Sequence, residues 1–505
     1  MLDALINGFY ILLRLNTLLL LSLGTIIGII VGALPGIGPT LGIALTIPFT
    51  FGLSPENALI LLISIYGGAM YGGAISSILI NTPGTGSAAA TTLEGYPMAK
   101  KGEAMFALAL SALSSGFGGI LAGILVIFFT LFLVKFVLLF ATPEKFMLAL
   151  FGICLIIVIT TKGNLIKGLI SATFGLLITA VGIAPMTADV RYTFMRPDFY
   201  DGLGYLPALI GLFAVAEVFR LSGIKQASIA ERIDVSGRGR MDAFKEILRN
   251  FKTFIKSVFI GIFIGSIPGA GGSVSNFLAY AEARRVSKNP ELWGKGNPEG
   301  IIASESSNNA TVSGALIPTL TFGIPGSATT AALLGGLLLH GLRPGIKMFT
   351  GEGLNITYSI FLAVIFSHIL ILFLGLTLIR PAGKIVLIKK EHVMSIVIIL
   401  AVLGIFSMQQ NYFDIYQIVI FGVIGYIFNK YKYPVIPAII SIILGRMIES
   451  NLFRSLRLSG GSFSIFLQRP ISLILLLGTI LVLFSPFLSR YGKKLKNKKS
   501  CKKRA

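Results

Sequence analysis

The stretch Asn81-Thr82-Pro83-Gly84-Thr85-Gly86-Ser87 decides how this chain is read. It interrupts an apolar run, 58–80, that otherwise has the character of a membrane span. Proline removes a backbone donor and glycine loosens the chain, so a helix is expected to break here. Broken backbone at membrane depth is tolerated only where protein buries it or where it lines a cavity. A second break of the same kind stands at Gly323-Ile324-Pro325-Gly326-Ser327. Paired breaks in corresponding places of two halves point to the binding site of a transporter.

Composition agrees with a membrane setting. Of 505 residues, 54% are hydrophobic and 13% charged, where a soluble domain carries roughly 25% charged residues. The net charge of +22 is concentrated after Ser489 and between Lys225 and Lys256. In a chain this apolar, such clusters imply orientation signals and contact with anionic lipid rather than nucleic acid. Cys154 and Cys501 are the two cysteines, too few for a disulfide framework or a cysteine metal site. Asp3, Arg14 and the apolar run 18–34 have the outline of a signal peptide. No small-residue cleavage site leads into a polar domain, so the run is read as mature sequence.

Outward from the first break, the pattern is found twice. Residues 17–52 are apolar but broken at Leu34-Pro35-Gly36-Ile37-Gly38-Pro39. Each half looks short for a crossing, which predicts a re-entrant hairpin with its tip at Pro35-Gly36. Gly28, Gly32, Pro35, Gly36 and Gly38 then align with Gly261, Gly265, Pro268, Gly269 and Gly271, and Pro83-Gly84 aligns with Pro325-Gly326. This is an internal repeat. The predicted organisation is a first transmembrane repeat at 1–221, a basic cytoplasmic connection at 222–251 and a second repeat at 252–448. A loop and extra helix at 449–489 and a basic cytoplasmic tail at 490–505 complete it. The fold class is an all-α polytopic membrane protein with about 11 crossings plus two hairpins. With the tail inside, most basic loops also fall inside, and the two hairpins enter from opposite sides, as inverted-topology repeats require. The segment Arg446–Arg469, with Arg454 and Arg457, lands outside against the rule.

The tips (Pro35, Gly36, Gly38; Pro268, Gly269, Gly271, Ser273) and the breaks (Asn81, Thr82, Pro83, Gly84, Thr85, Ser87; Gly323, Pro325, Gly326, Ser327, with Thr329) are expected to converge near the bilayer midplane. Helix N-termini there suit an anion, while unwound carbonyls suit a small cation. Kinks that merely allow close packing are the competing reading. Glu305, in Glu305-Ser306-Ser307-Asn308-Asn309, lies within the apolar segment 299–322. An ionisable group in a span costs roughly 2.5–3.5 kcal/mol on insertion scales, so Glu305 is a candidate for a coupling cation or proton. Asn308 and Asn309 are candidates for binding substrate or fixing backbone. Alternatively, Glu305 caps a helix near the interface. Glu449 and Arg454 are expected to pair across a helical turn, and Tyr66 and Tyr71 to pack. His340, His368 and His392 lack metal-ligand spacing. Neither a phosphate-binding loop nor a catalytic pairing is present.

At these residues the chain resembles the large membrane subunit of the tripartite tricarboxylate transporters. The matching text is GALPGIGP at 32–39, YGGAISSILINTPG at 71–84, SESSNNA at 304–310 and ALIPTLTFGIPGS at 315–327, with further similarity from Leu444 through Glu449 and at 456–461. The resemblance implies a secondary transporter in the cytoplasmic membrane for small carboxylates such as citrate, coupled to a proton or sodium gradient. It also implies a small membrane subunit and an extracytoplasmic solute-binding protein as partners, and no resident cofactor. A stand-alone carboxylate permease, a passive channel and an intramembrane enzyme are the alternatives, and Glu305 has no evident catalytic partner.

Overall fold

A computed structural model describes residues 2–161, 164–222, 239–378, 388 and 390–485. The chain is an all-α polytopic membrane protein: among the described residues, nine helices are long and apolar enough to cross a bilayer. Most of the basic connection and the whole basic tail after 489 lie outside the described residues, although an amphipathic helix, Arg240–Arg249, closes the connection. The described chain divides into two compact units, one of residues 1–137 and 206–426, the other of 138–205 and 427–505.

In the first unit, helix Leu15–Ala33 stops at the Pro35-Gly36 turn, and Gly38–Thr46 folds back on it, with Gly42 against the Val31 side chain. The expectation that both arms are too short to cross needs correction. Leu15–Ala33, at 19 residues, is among the nine, because the apolar run opens before 17. Helix Pro55–Ile80 follows and is buried at every position from Ala58 to Leu79. Glycines set this packing. A Cβ at Gly24 would lie 2.6 Å from the Leu61 carbonyl oxygen, and those at Gly28 and Gly32 would overlap the carbonyls of Ile65 and Ala69. Small residues are what let two backbones approach this closely in lipid.

The second half repeats the contacts. Gly261 of helix Phe251–Gly265 faces the Ser307 carbonyl, and Gly265 the Thr311 carbonyl at 2.8 Å from an added Cβ. Ser307 and Thr311 precede Gly326 by the same numbers of residues as Ile65 and Ala69 precede Gly84. The helix ends match as well. Pro55–Ile80 ends on Asn81 at φ 55°, and Pro298–Phe322 on Gly323 at φ 69°, both left-handed caps that asparagine and glycine tolerate. After each break the chain resumes as helix, at Thr92–Lys100 and Ala328–Leu339. Helix Leu2–Leu13, which sequence reading passed over, packs Gly8 onto the backbone of Tyr358 and Ser359 in Gly351–Thr377.

The second unit is built on helices Thr142–Thr160, Leu165–Thr179 and Val435–Leu458, with a short antiparallel pair, Gly182–Ile183 and Val190–Arg191. Gly175 brings Leu165–Thr179 against the Ala438 carbonyl. Helix Val435–Leu458 runs ten residues beyond the end expected at 448, so most of the segment read as an outside loop is helix. Glu449 also pairs differently than expected. It receives both Arg191 Nη1 at 2.8 Å and Nη2 at 3.1 Å, so the β-hairpin rather than Arg454 supplies its partner.

Candidate functional site

All the sequence-derived candidate residues belong to the first unit. The first break is a compact turn. Gly84 N–H donates to the Gly73 carbonyl at 3.3 Å, and Gly84 sits where a Cβ would overlap the Gly32 carbonyl. Thr85 and Ser87 exchange a hydroxyl hydrogen bond at 3.0 Å, and Ser87 Oγ also reaches Met70 Sδ at 3.4 Å. Thr82 Oγ1 turns back to the Ile80 carbonyl. Asn81 is exposed. The second break is its counterpart: an added Cβ at Gly326 would lie 2.5 Å from the Gly265 carbonyl, and Ser327 caps the next helix by accepting from Thr330 N–H at 3.2 Å.

The hairpins reach these breaks. Thr40, just past the first tip, hydrogen bonds through Oγ1 to Thr329 Oγ1 at 3.0 Å. The second hairpin arm, Gly271–Val286, lies against both breaks. Gly271 faces the Ser327 side chain, Gly272 the Ser87 side chain, and Ser273 Oγ stands 3.1 Å from a Cβ built on Gly86. Asn276 donates Nδ2–H to the Ser87 carbonyl. Thr85, Ser87, Gly271, Ser273, Ser327 and Thr329 are therefore gathered around one locus. The tip Pro35-Gly36 is not: Gly36 faces the Glu217–Arg220 ion pair, 2.8 Å from Glu217 Oε1 to an added Cβ. Gly38, Pro268 and Gly269 remain partly exposed at their turns.

Helix Pro298–Phe322 carries the buried polar cluster behind this locus. Its residues 304–309 are fully buried. Successive side chains on a helix point to different neighbours, which separates the asparagines. Asn308 donates Nδ2–H to the Met70 carbonyl at 3.1 Å, toward the first break. Asn309 donates to the Glu305 carbonyl at 3.1 Å and presents Oδ1 to His368 Nε2 at 3.3 Å, toward Gly351–Thr377. Glu305 takes hydrogen bonds from Thr91 Oγ1 and, at 2.9 Å, from Ser115 Oγ. It is thus deep inside protein rather than a cap at a helix end.

Several participants escaped sequence reading. Asn276 was legible only as the residue four after Gly272, on one helical face. Thr40, Thr91, Ser115 and the Met70 carbonyl carry no sequence mark. Glu94 is a further one. It is fully buried and accepts from the backbone N–H of Gly294, Gly296 and Asn297 at 2.5, 2.8 and 2.8 Å, and from Tyr280 OH at 2.7 Å. It fastens the helix after the first break to the loop that opens Pro298–Phe322.

Comparison with known proteins places these features in a family. The family model described as the tripartite tricarboxylate transporter TctA family matches residues 18–440, which takes in both hairpins and both breaks. The chain is 33% identical over 435 residues to an uncharacterized 52.8 kDa protein of the TAR-I ttuC' 3' region of Agrobacterium vitis, with 86% of each chain covered. It is 31% identical over 226 residues to an uncharacterized protein of the TAR-II ttuC' 3' region of the same organism, covering 45% of this chain and 93% of that one. No solved structure matches. The chain belongs to the tripartite tricarboxylate transporter TctA family.

Proposed function

We propose that the chain is the large membrane subunit of a secondary transporter that imports small carboxylates such as citrate across the cytoplasmic membrane. It acts with a small membrane subunit and an extracytoplasmic binding protein and draws on a proton or sodium gradient. The observation that carries this reading is the meeting of both breaks with the second hairpin, and of Thr40 in the first hairpin with Thr329 after the second break. Helix starts at Gly271 and Ala328 give the locus the positive dipole ends that hold an anion without a buried lysine or arginine.

In this reading the segment 81–87, Ser273, Ser327 and Thr329 contact the carboxylate. Pro83, Gly84, Pro325 and Gly326 hold the backbone open, and Gly323 ends the helix. The turns at Pro35, Gly36 and Gly38 and at Pro268, Gly269 and Gly271 are the mobile ends of two oppositely inserted hairpins. Glu305 is the ionisable group in the span, its carboxyl held by Thr91 and Ser115, while Asn309 links the Glu305 backbone carbonyl to His368.

A thermal-shift series on the purified protein with mono-, di- and tricarboxylates tests the reading. The expected result is saturable stabilisation by di- or tricarboxylates and none by neutral analogues of the same size. Indifference to every carboxylate would sink it.

A further inference from the structure

Asn276 and Asn308 are both fully buried, and each has a fixed orientation. The Asn276 amino group faces the Ser87 carbonyl and that of Asn308 faces the Met70 carbonyl. Turning either amide over would set oxygen against oxygen, so the hydrogen bonds assign each Oδ1 as the outward acceptor. Among the described residues, nothing donates to Asn276 Oδ1 or to Asn308 Oδ1. Buried acceptors of this kind require a donor or a cation. No side chain of the described residues covers one of them: Gly272 stands beside it, where a Cβ would lie 3.0 Å from Asn308 Oδ1 and 2.7 Å from both the Ser87 Cβ and Met70 Cε. The Ser87 residue links the two amides, since its carbonyl holds Asn276 and its side chain flanks the same point as Asn308 Oδ1.

We infer that Asn276 Oδ1 and Asn308 Oδ1 bind a sodium ion beside the first helix break. A carboxylate cannot take this place, because its oxygens would face carbonyl oxygens. Amide oxygens do not titrate in the physiological range, so a transported proton is not stored on them. A small hard cation takes neutral oxygen ligands, and broken helices at mid-membrane are where sodium is coordinated. The hydroxyls of Thr85 and Ser87, 3.0 Å from each other, are the nearby groups that would extend the coordination. A cation here also places positive charge next to the proposed carboxylate locus. The inference rests on the transport reading for its purpose but not for its test.

The test is the unfolding temperature of the purified full chain, without carboxylate, titrated with sodium, potassium or choline chloride at constant ionic strength. The native protein is expected to be stabilised saturably by sodium and not by the other two. Asn276→Ala, Asn308→Ala and Gly272→Ala are each expected to weaken the apparent sodium affinity at least tenfold. Equal responses to all three cations, as a bridging water would give, overturn the inference, as does native sodium affinity in the variants. If the asparagine variants do not fold, Gly272→Ala, which removes no hydrogen-bonding group, and the cation selectivity of the native protein decide it. Sodium binding without any carboxylate response would leave this inference standing and sink the transport reading. A carboxylate response with no sodium response would do the reverse.

Discussion

Thr40 and Thr329 touch hydroxyl to hydroxyl at 3.0 Å although 289 residues separate them. One belongs to the first hairpin and the other to the helix after the second break. The contact joins the two halves of the chain at the point where both depart from regular structure, and the candidate site is built around that meeting.

The turn geometry at the breaks leaves no room for a side chain. A methyl group at Gly84 would overlap the Gly32 carbonyl, and one at Gly326 would come within 2.5 Å of the Gly265 carbonyl. These are backbone atoms of a packed helix pair, so the hairpin itself must shift. Gly84→Ala and Gly326→Ala are each expected to cost about 1–3 kcal/mol of stability and to abolish uptake. Unfolding temperature and carboxylate uptake in proteoliposomes are the measurements. Native values for both would show that the close approach is not needed.

Glu94 gathers three backbone N–H groups and the Tyr280 hydroxyl. Glu94→Gln sets an amide donor against those donors and is expected to destabilise by about 1–3 kcal/mol or more, since a buried donor left unmet costs that much. Tyr280→Phe removes one bond and is expected to cost about 0.5–1.5 kcal/mol. Limited proteolysis at the 287–297 loop should rise in the first variant more than in the second. The opposite order would contradict the clamp.

Glu305 is held by two hydroxyls, which donate or accept equally well, and by the Asn308 side-chain amide. Glu305→Gln should therefore fold normally. If the carboxylate carries coupling charge, uptake falls more than about tenfold, equivalent to about 1.4 kcal/mol, while carboxylate-induced stabilisation persists. Unchanged uptake in the glutamine variant would confine Glu305 to a structural role.

In the second unit, Arg191 and Glu449 form a two-point ion pair, and those hydrogen bonds hold Arg191 protonated more firmly than a free guanidinium. Arg191→Ala and Glu449→Ala should show a coupling energy of about 0.5–3 kcal/mol in a double-mutant cycle on stability. Additive effects would mean that the β-hairpin is held by other contacts.

The breaks were legible because adjacent Pro-Gly pairs interrupt otherwise apolar runs, whereas single residues such as Gly28 or Pro318 stay inside their helices. Gly28, Gly32 and Gly84 could be matched with Gly261, Gly265 and Gly326 by spacing alone. Side-chain partners were not legible. Asn308 and Asn309 are neighbours in sequence, yet one turns to Met70 and the other to His368. Glu449 and Arg454 are five residues apart in one helix and so lie on different faces, and the guanidinium that meets Glu449 comes from a β-hairpin that no periodicity announces. The extension of Val435–Leu458 past 448 was hidden because its final turns carry Glu449, Arg454 and Arg457 and lose apolar character.

A structure of the full chain with a bound tricarboxylate tests the central claim most directly. The account predicts the ligand between residues 82–87 and the helix starts at Gly271 and Ala328, touching Ser273 or Ser327. A ligand held elsewhere, away from both breaks, would contradict it.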